Sequence, residues 1–343
     1  MATIYDVARA AGVTAATVSV ALSGRGVVNP KTRERVLQCA RELDYRPNLV
    51  ARSLTTRRTH TIGLVVFDIT NPFYAEVAQA VELMARPAGY RVIIGNATGD
   101  ESLSVGLLEE LAARQVDGII AISGGLPGEA VQAIAATGLP IIPCLWDEQA
   151  PPFLTPSVSF DFAAGGRLVA DHLLDLGHQR IAIVAIGSED EPVIRLREAA
   201  FRDRLAERGY PLDPSMWRWA DSTLDSGYTA AHEFLSLAEP PTAIYATNDR
   251  MALGVIAAAR ERRVPVPQAL SVVGFDDIAL ARYASPPLTT VRIEKTALMV
   301  TATDLLLRLI AGEEVLSPMP LPPTLVVRES TAFHSRISQP EGR

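Results

Sequence analysis

The stretch "TIYDVARAAGVTAATVSVALSG", residues 3–24, sets two short helical patterns either side of a single glycine. Thr3 followed by Asp6 is a helix-start signal, and Ile4, Val7, Ala8 and Ala11 follow at helical spacing. Gly12 stands where a tight turn needs a positive φ. Thr14 then caps a second helix whose inward face is Val18, Ala21 and Leu22. Asn29-Pro30 opens a third, with Val36, Leu37, Ala40 and Leu43 as its apolar stripe and Tyr45-Arg46-Pro47 as its end. Three short helices with a glycine turn between the first two make a helix-turn-helix plan. A small structural three-helix bundle is the competing reading. The outward face of the second helix carries Ala15, Ala16 and Val20, side chains with almost no hydrogen-bonding capacity.

Charge separates the two readings. The 343-residue chain has a formal charge of −7, yet residues 1–58 hold ten Lys and Arg against four acids, a net of +6, which leaves −13 for the rest. A basic helical head on an acidic body points to nucleic acid at one end and a different partner at the other. No apolar run approaches the roughly 18 residues of a membrane span, and the N-terminus lacks a secretory pattern. A cytoplasmic protein without membrane contact is expected. Cys39 and Cys144 lie far apart without metal-ligand spacing and read as buried free thiols. His60, His172, His178, His232 and His334 form no H-E-x-x-H pair, and neither a G-x-S-x-G elbow nor a P-loop occurs. Asp276 and Asp277 are adjacent at a strand end, so their side chains diverge. No catalytic residue, metal ligand or cofactor is nominated.

The opening stretch, taken with "NPKTRERVLQCARELDYRPNLVARSL" (residues 29–54), resembles the headpiece and hinge of the LacI/GalR (lactose-repressor) family of bacterial transcription regulators. The similarity continues in spaced motifs over roughly residues 3–332. It implies that the second helix enters the major groove with Ala15, Ala16 and Val20 at the base-reading positions. Thr14, Thr17 and Ser19 then match hydroxyls that bind phosphates, and Thr3, Tyr5 and Asn48 join the DNA contacts. Relatives often place polar or charged groups where Val20 stands, so readout here falls to thymine methyls and DNA shape. Residues 47–59 match a hinge helix that orders on DNA. Leu54 in "RPNxxARSL" takes the position of an intercalating wedge, with Arg52 beside it against the backbone. A flexible linker with an incidental leucine is the alternative.

From His60 onward, buried strands alternate with amphipathic helices: "TIGLVV", "RVIIGNA", "VDGIIAIS" and "IIPCL", then "RIAIVAI", "TAIYAT" and "LSVVGFDD". That alternation argues for βαβ units and parallel sheets. The expected fold is a small all-α helix-turn-helix headpiece plus an α/β body of two parallel-sheet subdomains, the periplasmic-binding-protein-like arrangement that the resemblance implies. Domains are expected at 1–46 (headpiece), 47–59 (hinge) and 60–335 (ligand-binding and dimerisation body). The body divides into 60–160 with 289–322 and 161–288 with 323–335, with crossings near 160, 288 and 323.

Ligands in open α/β sheets sit at the carboxyl ends of strands. That rule selects Phe67, Asp68, Asn71, Phe73 and Tyr74 after the first strand, Trp146 after the fourth, and Asp161 beside Phe162 at the crossover. It adds Arg197 at a helix start, Asn248 after "IYAT" and Asp276 after "VVGF". Family motifs match "D-x-x-N-P-F" at 68–73, Arg197 in "RxxxF", "ND" at 248–249 and "GFDD" at 274–277. Carboxylates, amides and an arginine beside aromatic faces suit a hydroxyl-rich ligand. Asn71 before Pro72 is equally explained as a helix cap, and Asp249 and Asp277 as caps or interdomain links.

These readings converge on a regulator, most simply a repressor, that binds a palindromic operator as a homodimer. A sugar, sugar acid or polyol in the cleft would control it. A nucleoside or purine is the alternative ligand, through the aromatic faces, and a solute-binding protein of sugar uptake is the alternative function. The latter has no use for the basic head. The tail "FHSRISQPEGR" carries no leucine heptad, so a dimer rather than a tetramer is expected.

Overall fold

A computed structural model describes residues 2–23, 27–46, 58–98, 100–122, 127–144, 155–188 and 194–334. The chain divides into two compact units, Met1–Thr59 and His60–Arg343.

The first unit contains α1 (Ile4–Ala11), α2 (Ala15–Ser23) and α3 (Pro30–Glu42). Each start is chemically capped. Thr3 and Asp6 form a reciprocal capping box at α1, Thr14 Oγ1 accepts from Thr17 N at 3.2 Å, and Asn29 Oδ1 accepts from Lys31 N at 3.0 Å. Gly12 takes φ 63° and closes α1 in a left-handed turn. Val7, Ala8, Ala11, Val18, Ala21, Val36 and Ala40 make the small core. The expected stripe of α3 is narrower than the sequence suggested: Leu37 and Leu43 stay 37 % and 38 % exposed. The i, i+4 pair Val36 and Ala40 is buried against the other two helices with Cys39 half-buried beside it, and Leu43 lies past the last helical residue.

The second unit is built on two sheets. β1 (Thr61–Val66), β2 (Arg91–Asn96), β3 (Gly118–Ile122) and β4 (Ile141–Cys144) form a parallel sheet in the order β2-β1-β3-β4. Its helices are α4 (Pro72–Ala85), α5 (Glu101–Ala113) and α6 (Gly128–Ala136). β1 and β3 are almost wholly buried, as strands covered on both faces must be. β2 is an edge strand, and its Ile93 and Ile94 stay 41 % and 47 % exposed.

The chain crosses at the bridges Cys144–Val158 and Phe160–Leu321. The second layer comprises α7 (Phe162–Asp175), β5 (Ile181–Ile186), α8 (Leu196–Glu207), β6 (Trp217–Ala220), α9 (Leu224–Phe234), β7 (Ala243–Ala246), α10 (Asp249–Glu261), β8 (Ser271–Asp276) and β9 (Thr289–Arg292). After β9 come α11 (Lys295–Ile310) and β10 (Thr324–Val326). The second sheet runs β10-β9-β8-β7-β5-β6, and β10 alone of these is antiparallel to its neighbour.

Two features depart from the sequence expectation. β9 pairs with β8, Val273 opposite Thr289, so the crossing expected near 288 falls after Arg292 instead. The chain then sends α11 to pack on α4, β3 and β4 of the first sheet. In addition, β6 and α9 carry no clear pattern in the sequence. β6 is four residues that include an arginine, and α9 interrupts its apolar residues with Asp225, Ser226, Gly227 and Thr229. Tertiary packing holds α9: a Cβ on Gly227 would lie 2.2 Å from Met251 O, and one on Gly254 2.1 Å from Leu224 O. Glycine alone lets α9 and α10 lie backbone to backbone. Among the described residues no helix is long and apolar enough to cross a membrane.

Candidate functional site

In the first unit, the candidate nucleic-acid face is the exposed side of α2 with the start of α1. Tyr5 is 70 % exposed, and Ala16 and Ser19 face solvent. Ala15, by contrast, is half-buried and packs against the headpiece core, so its free surface is smaller than that of Ala16. Val20 is half-buried. The Thr14 and Thr17 hydroxyls lie 2.9 Å apart. One proton is spent between them, which leaves one hydroxyl proton and several lone pairs for an outside partner. Thr3 is occupied by its capping box, with Oγ1 donating to Asp6 Oδ2 at 2.7 Å. Asn48, Arg52 and Leu54 lie outside the described residues, as does most of the expected hinge.

In the second unit, a cleft with an empty volume of about 620 Å³, partly open to solvent, is lined from both layers. The first layer supplies Phe67 and Asn71 from the β1–α4 connection and Phe73 and Tyr74 from the first turn of α4, with Ile122 from β3. The second supplies Phe162, Ile186, Arg195, Arg197, Ser222, Asn248 and Asp276, and Ile293 comes from the connection between β9 and α11. Strand ends and helix starts therefore converge as the carboxyl-end rule requires.

Arg197 is the most constrained of these. It is 8 % exposed, its Nη1 donates to Thr247 O at 2.8 Å, and its guanidinium lies 4.7 Å from the Phe162 ring centroid and 4.5 Å from that of Phe275. The two rings are themselves stacked, 6.0 Å apart at 15°. Gly166 makes this possible, because a Cβ there would lie 2.0 Å from Arg197 O. Arg195 donates from Nη1 to Ile186 O.

Asn71 and Asn248 serve two roles. Asn71 caps α4, with Oδ1 accepting from Phe73 N at 3.1 Å, and is buried at the cleft wall. Asn248 caps α10 through Oδ1 to Met251 N at 2.8 Å, while Nδ2 donates to Ser222 Oγ at 2.6 Å. Both ends of the Asn248 amide are thus engaged, which sets its orientation at the cleft wall.

Asp276 is 6 % exposed and adopts φ 112°, and Asp277 adopts φ 51°. Burial pushes the Tyr74 phenol up, and the Asp276 charge adds to the effect. Burial likewise raises the Asp249 carboxyl well above the usual range, again with Asp276 contributing. Asp249 accepts from Thr290 Oγ1 at 2.5 Å and from Ile278 N at 2.8 Å, so it ties α10 to β9 and the turn after β8. Asp277 is the opposite case. Burial works against its charge, yet hydrogen bonds from Arg328 at 2.5 Å and Arg292 at 2.7 Å hold its carboxyl below the ordinary value.

Two expected ligand residues lie elsewhere. Asp68 is not a lining residue. It pairs with Arg250 of α10 at 2.8 Å and accepts from Thr70, joining the two layers at the cleft rim. Burial raises its carboxyl, but those hydrogen bonds outweigh it and leave the group below the usual range. Asp161 caps α7, with Oδ1 accepting from Ala164 N at 2.8 Å. Trp146 lies outside the described residues. The sequence reading missed Arg195, Ser222, Ile122, Ile186 and Ile293. Arg195 had one usable signal, its place two residues before Arg197. Among the described residues no cluster of His, Cys, Asp and Glu is arranged to hold a metal ion.

Residues 3–48 match the family described as bacterial regulatory proteins, lacI family, and residues 170–331 match a periplasmic binding protein-like domain. Over 331 residues the chain is 37 % identical to catabolite control protein A of Priestia megaterium, covering 96 % of this chain and 99 % of that protein. Among solved structures, the lac repressor dimer bound to operator and the anti-inducer ONPF is similar with a TM-score of 0.85 and 32 % identity, over 96 % of this chain and 99 % of that one. A LacI family transcriptional regulator from Enterococcus faecium with bound ribose gives a TM-score of 0.70 at 29 % identity, over 80 % of this chain and 100 % of that one.

Proposed function

Since the chain belongs to the LacI family of bacterial regulatory proteins, we propose that it is a cytoplasmic, non-catalytic repressor whose hold on operator DNA is set by a small hydroxyl-rich metabolite. The observation that carries this reading is the cleft of the second unit. Asn71, Phe73 and Tyr74 of one layer face Arg197, Asn248 and Asp276 of the other across a single cavity. Acceptors, donors and ring faces at that spacing suit a sugar, sugar acid or polyol, whose hydroxyls pair with the polar groups while its C–H faces lie on the rings. The ribose held by the Enterococcus faecium relative supports the same ligand class.

On DNA, the proposal is a homodimer on a near-palindromic operator, with one α2 helix in each of two successive major grooves. Ala16 and Val20 meet thymine methyls, while Ser19 and the Thr14–Thr17 pair reach phosphates. Leu54 acts as a minor-groove wedge at the centre. Exposed Leu83, Ile93 and Ile94 on α4 and the β2 edge supply an apolar face for the dimer. Ligand acts by favouring one relative orientation of the two layers of the body over another, and its differential affinity sets the response.

A thermal-shift screen of the full chain against sugars, sugar acids, polyols and nucleosides tests the ligand class. The expected result is a stabilising hydroxyl-rich compound, which Arg197→Ala abolishes and which changes affinity for an operator selected from random duplexes. A shift by nucleosides alone overturns the ligand class. A selected duplex bound equally well after removal of residues 1–58 overturns the regulator.

A further inference from the structure

We propose that Glu76 and Lys295 form a clamp on the turn after β8, so that the orientation of Asp276 is tied to closure of the cleft. The proposal rests on the cleft being the ligand site, and it assigns Lys295 as a positioning residue, not a ligand contact. Lys295 is the first residue of α11, the helix that packs on the first sheet, and is 8 % exposed. Its ammonium has three donors. Two go to the second layer, Nζ to Asp276 O at 2.9 Å and to Asp277 O at 2.8 Å. The third faces Glu76 Oε2 of α4 at 3.2 Å.

Glu76 completes the grip from the other end. Its Oε1 accepts from Ala279 N at 2.9 Å. One ion pair of the first layer therefore holds both polarities of the same backbone segment, carbonyls 276 and 277 through the ammonium and N–H 279 through the carboxylate. Asp276 and Asp277 adopt φ 112° and 51°, conformations that L-residues hold only when the surroundings over-determine them. Two nearby carboxylates are engaged by arginines: that of Asp277 by Arg292 and Arg328, and that of Asp68 by Arg250. Opening the cleft must pull on this grip, and loosening the turn frees Asp276 at the cleft wall.

The test uses the full-length chain without ligand and reads single-amide hydrogen exchange with small-angle scattering. The amide of Ile278 is an internal control, since it bonds to Asp249 within the second layer. Glu76→Gln is expected to speed exchange at Ala279 by about threefold and leave Ile278 unchanged. Lys295→Met is expected to speed Ala279 by about tenfold and enlarge the radius of gyration. Lys295→Arg restores slow exchange. The double variant is expected to be no faster than Lys295→Met alone, because the two residues act as one unit. Equal acceleration at 278 and 279, which global loosening would give, overturns the clamp, as does unchanged exchange at Ala279. If Lys295→Met does not fold, Glu76→Gln carries the decision on the same two amides. No ligand enters this experiment, so a failed ligand screen leaves the clamp standing and a failed clamp leaves the cleft standing.

Discussion

Arg197 is held from three sides before any ligand arrives: a carbonyl ahead of it, two stacked rings against its face, and the backbone of α7 pressed on its own carbonyl. That last contact makes Gly166 the most substitution-sensitive small residue near the cleft. Gly166→Ala would set a methyl 2.0 Å from Arg197 O, where neither backbone can yield cheaply. The expected cost is about 3 kcal/mol, read as a fall of roughly 6 °C or more in the thermal transition. An unchanged transition would show that α7 and α8 can slide apart. His178 gives a residue-scale pH effect. Burial, helped by the neighbouring His334, depresses its imidazole from the usual 6.5 to about 4. The ring is held neutral between Thr242 Oγ1 at 2.9 Å and Ser271 Oγ at 2.9 Å. Between pH 6.5 and 4 the unfolded chain takes up a proton that the folded one refuses, so stability falls as the pH drops through that window and levels off below it. His178→Asn should weaken the protein at neutral pH yet flatten that slope, as measured by denaturant unfolding at several pH values. A slope as steep as the parent's would place the proton elsewhere.

At the scale of elements, local chemistry made the helix starts legible. Thr3, Thr14, Asn29 and Asn71 are short polar side chains ahead of apolar periodicity, and each caps the helix expected of it. The cleft was legible for a related reason: lining residues follow strand ends, and a strand end is visible in sequence. What stayed hidden is contact between segments far apart in the chain. Nothing local tells Asp68, a strand-end carboxylate, that Arg250 will neutralise it, or tells Ser222 that an asparagine 26 residues later will bring it to the cleft. β9 belongs to the second layer, against the sequence expectation, because strand pairing and not composition decides membership. The hinge makes its own prediction. Because α2 presents few hydrogen-bonding groups, the kink proposed for Leu54 should carry much of the operator preference. Leu54→Ala is therefore expected to cost more affinity for the selected operator than either Ala15→Gly or Ala16→Gly. Equal or smaller loss in titrations on the same duplex would return that share to α2.

At the scale of the molecule, charge is partitioned between a headpiece and hinge of +6 and a remainder of −13. The acidic remainder repels DNA, so attraction is confined to one end of the chain, and binding there exchanges condensed counterions for arginines. The logarithm of operator affinity should fall linearly with the logarithm of salt, with a slope on the order of −10 for a dimer that brings two such heads to the duplex. A slope near zero would mean that phosphates contribute little.

The caps described at the cleft have one more effect. Asn71 begins α4 on one wall, and Arg195 and Asn248 begin α8 and α10 on the other, and all three line the cavity. Each helix start carries about half a positive charge from its aligned peptide dipoles. Closing the walls on an empty space brings like partial charges together and meets resistance from the backbone field itself. Oxygen atoms placed between the walls reverse the sign of that resistance. A ligand rich in lone pairs would then serve as an electrostatic keystone, and part of the energy that closes the body would come from the peptide groups, beside the side-chain contacts.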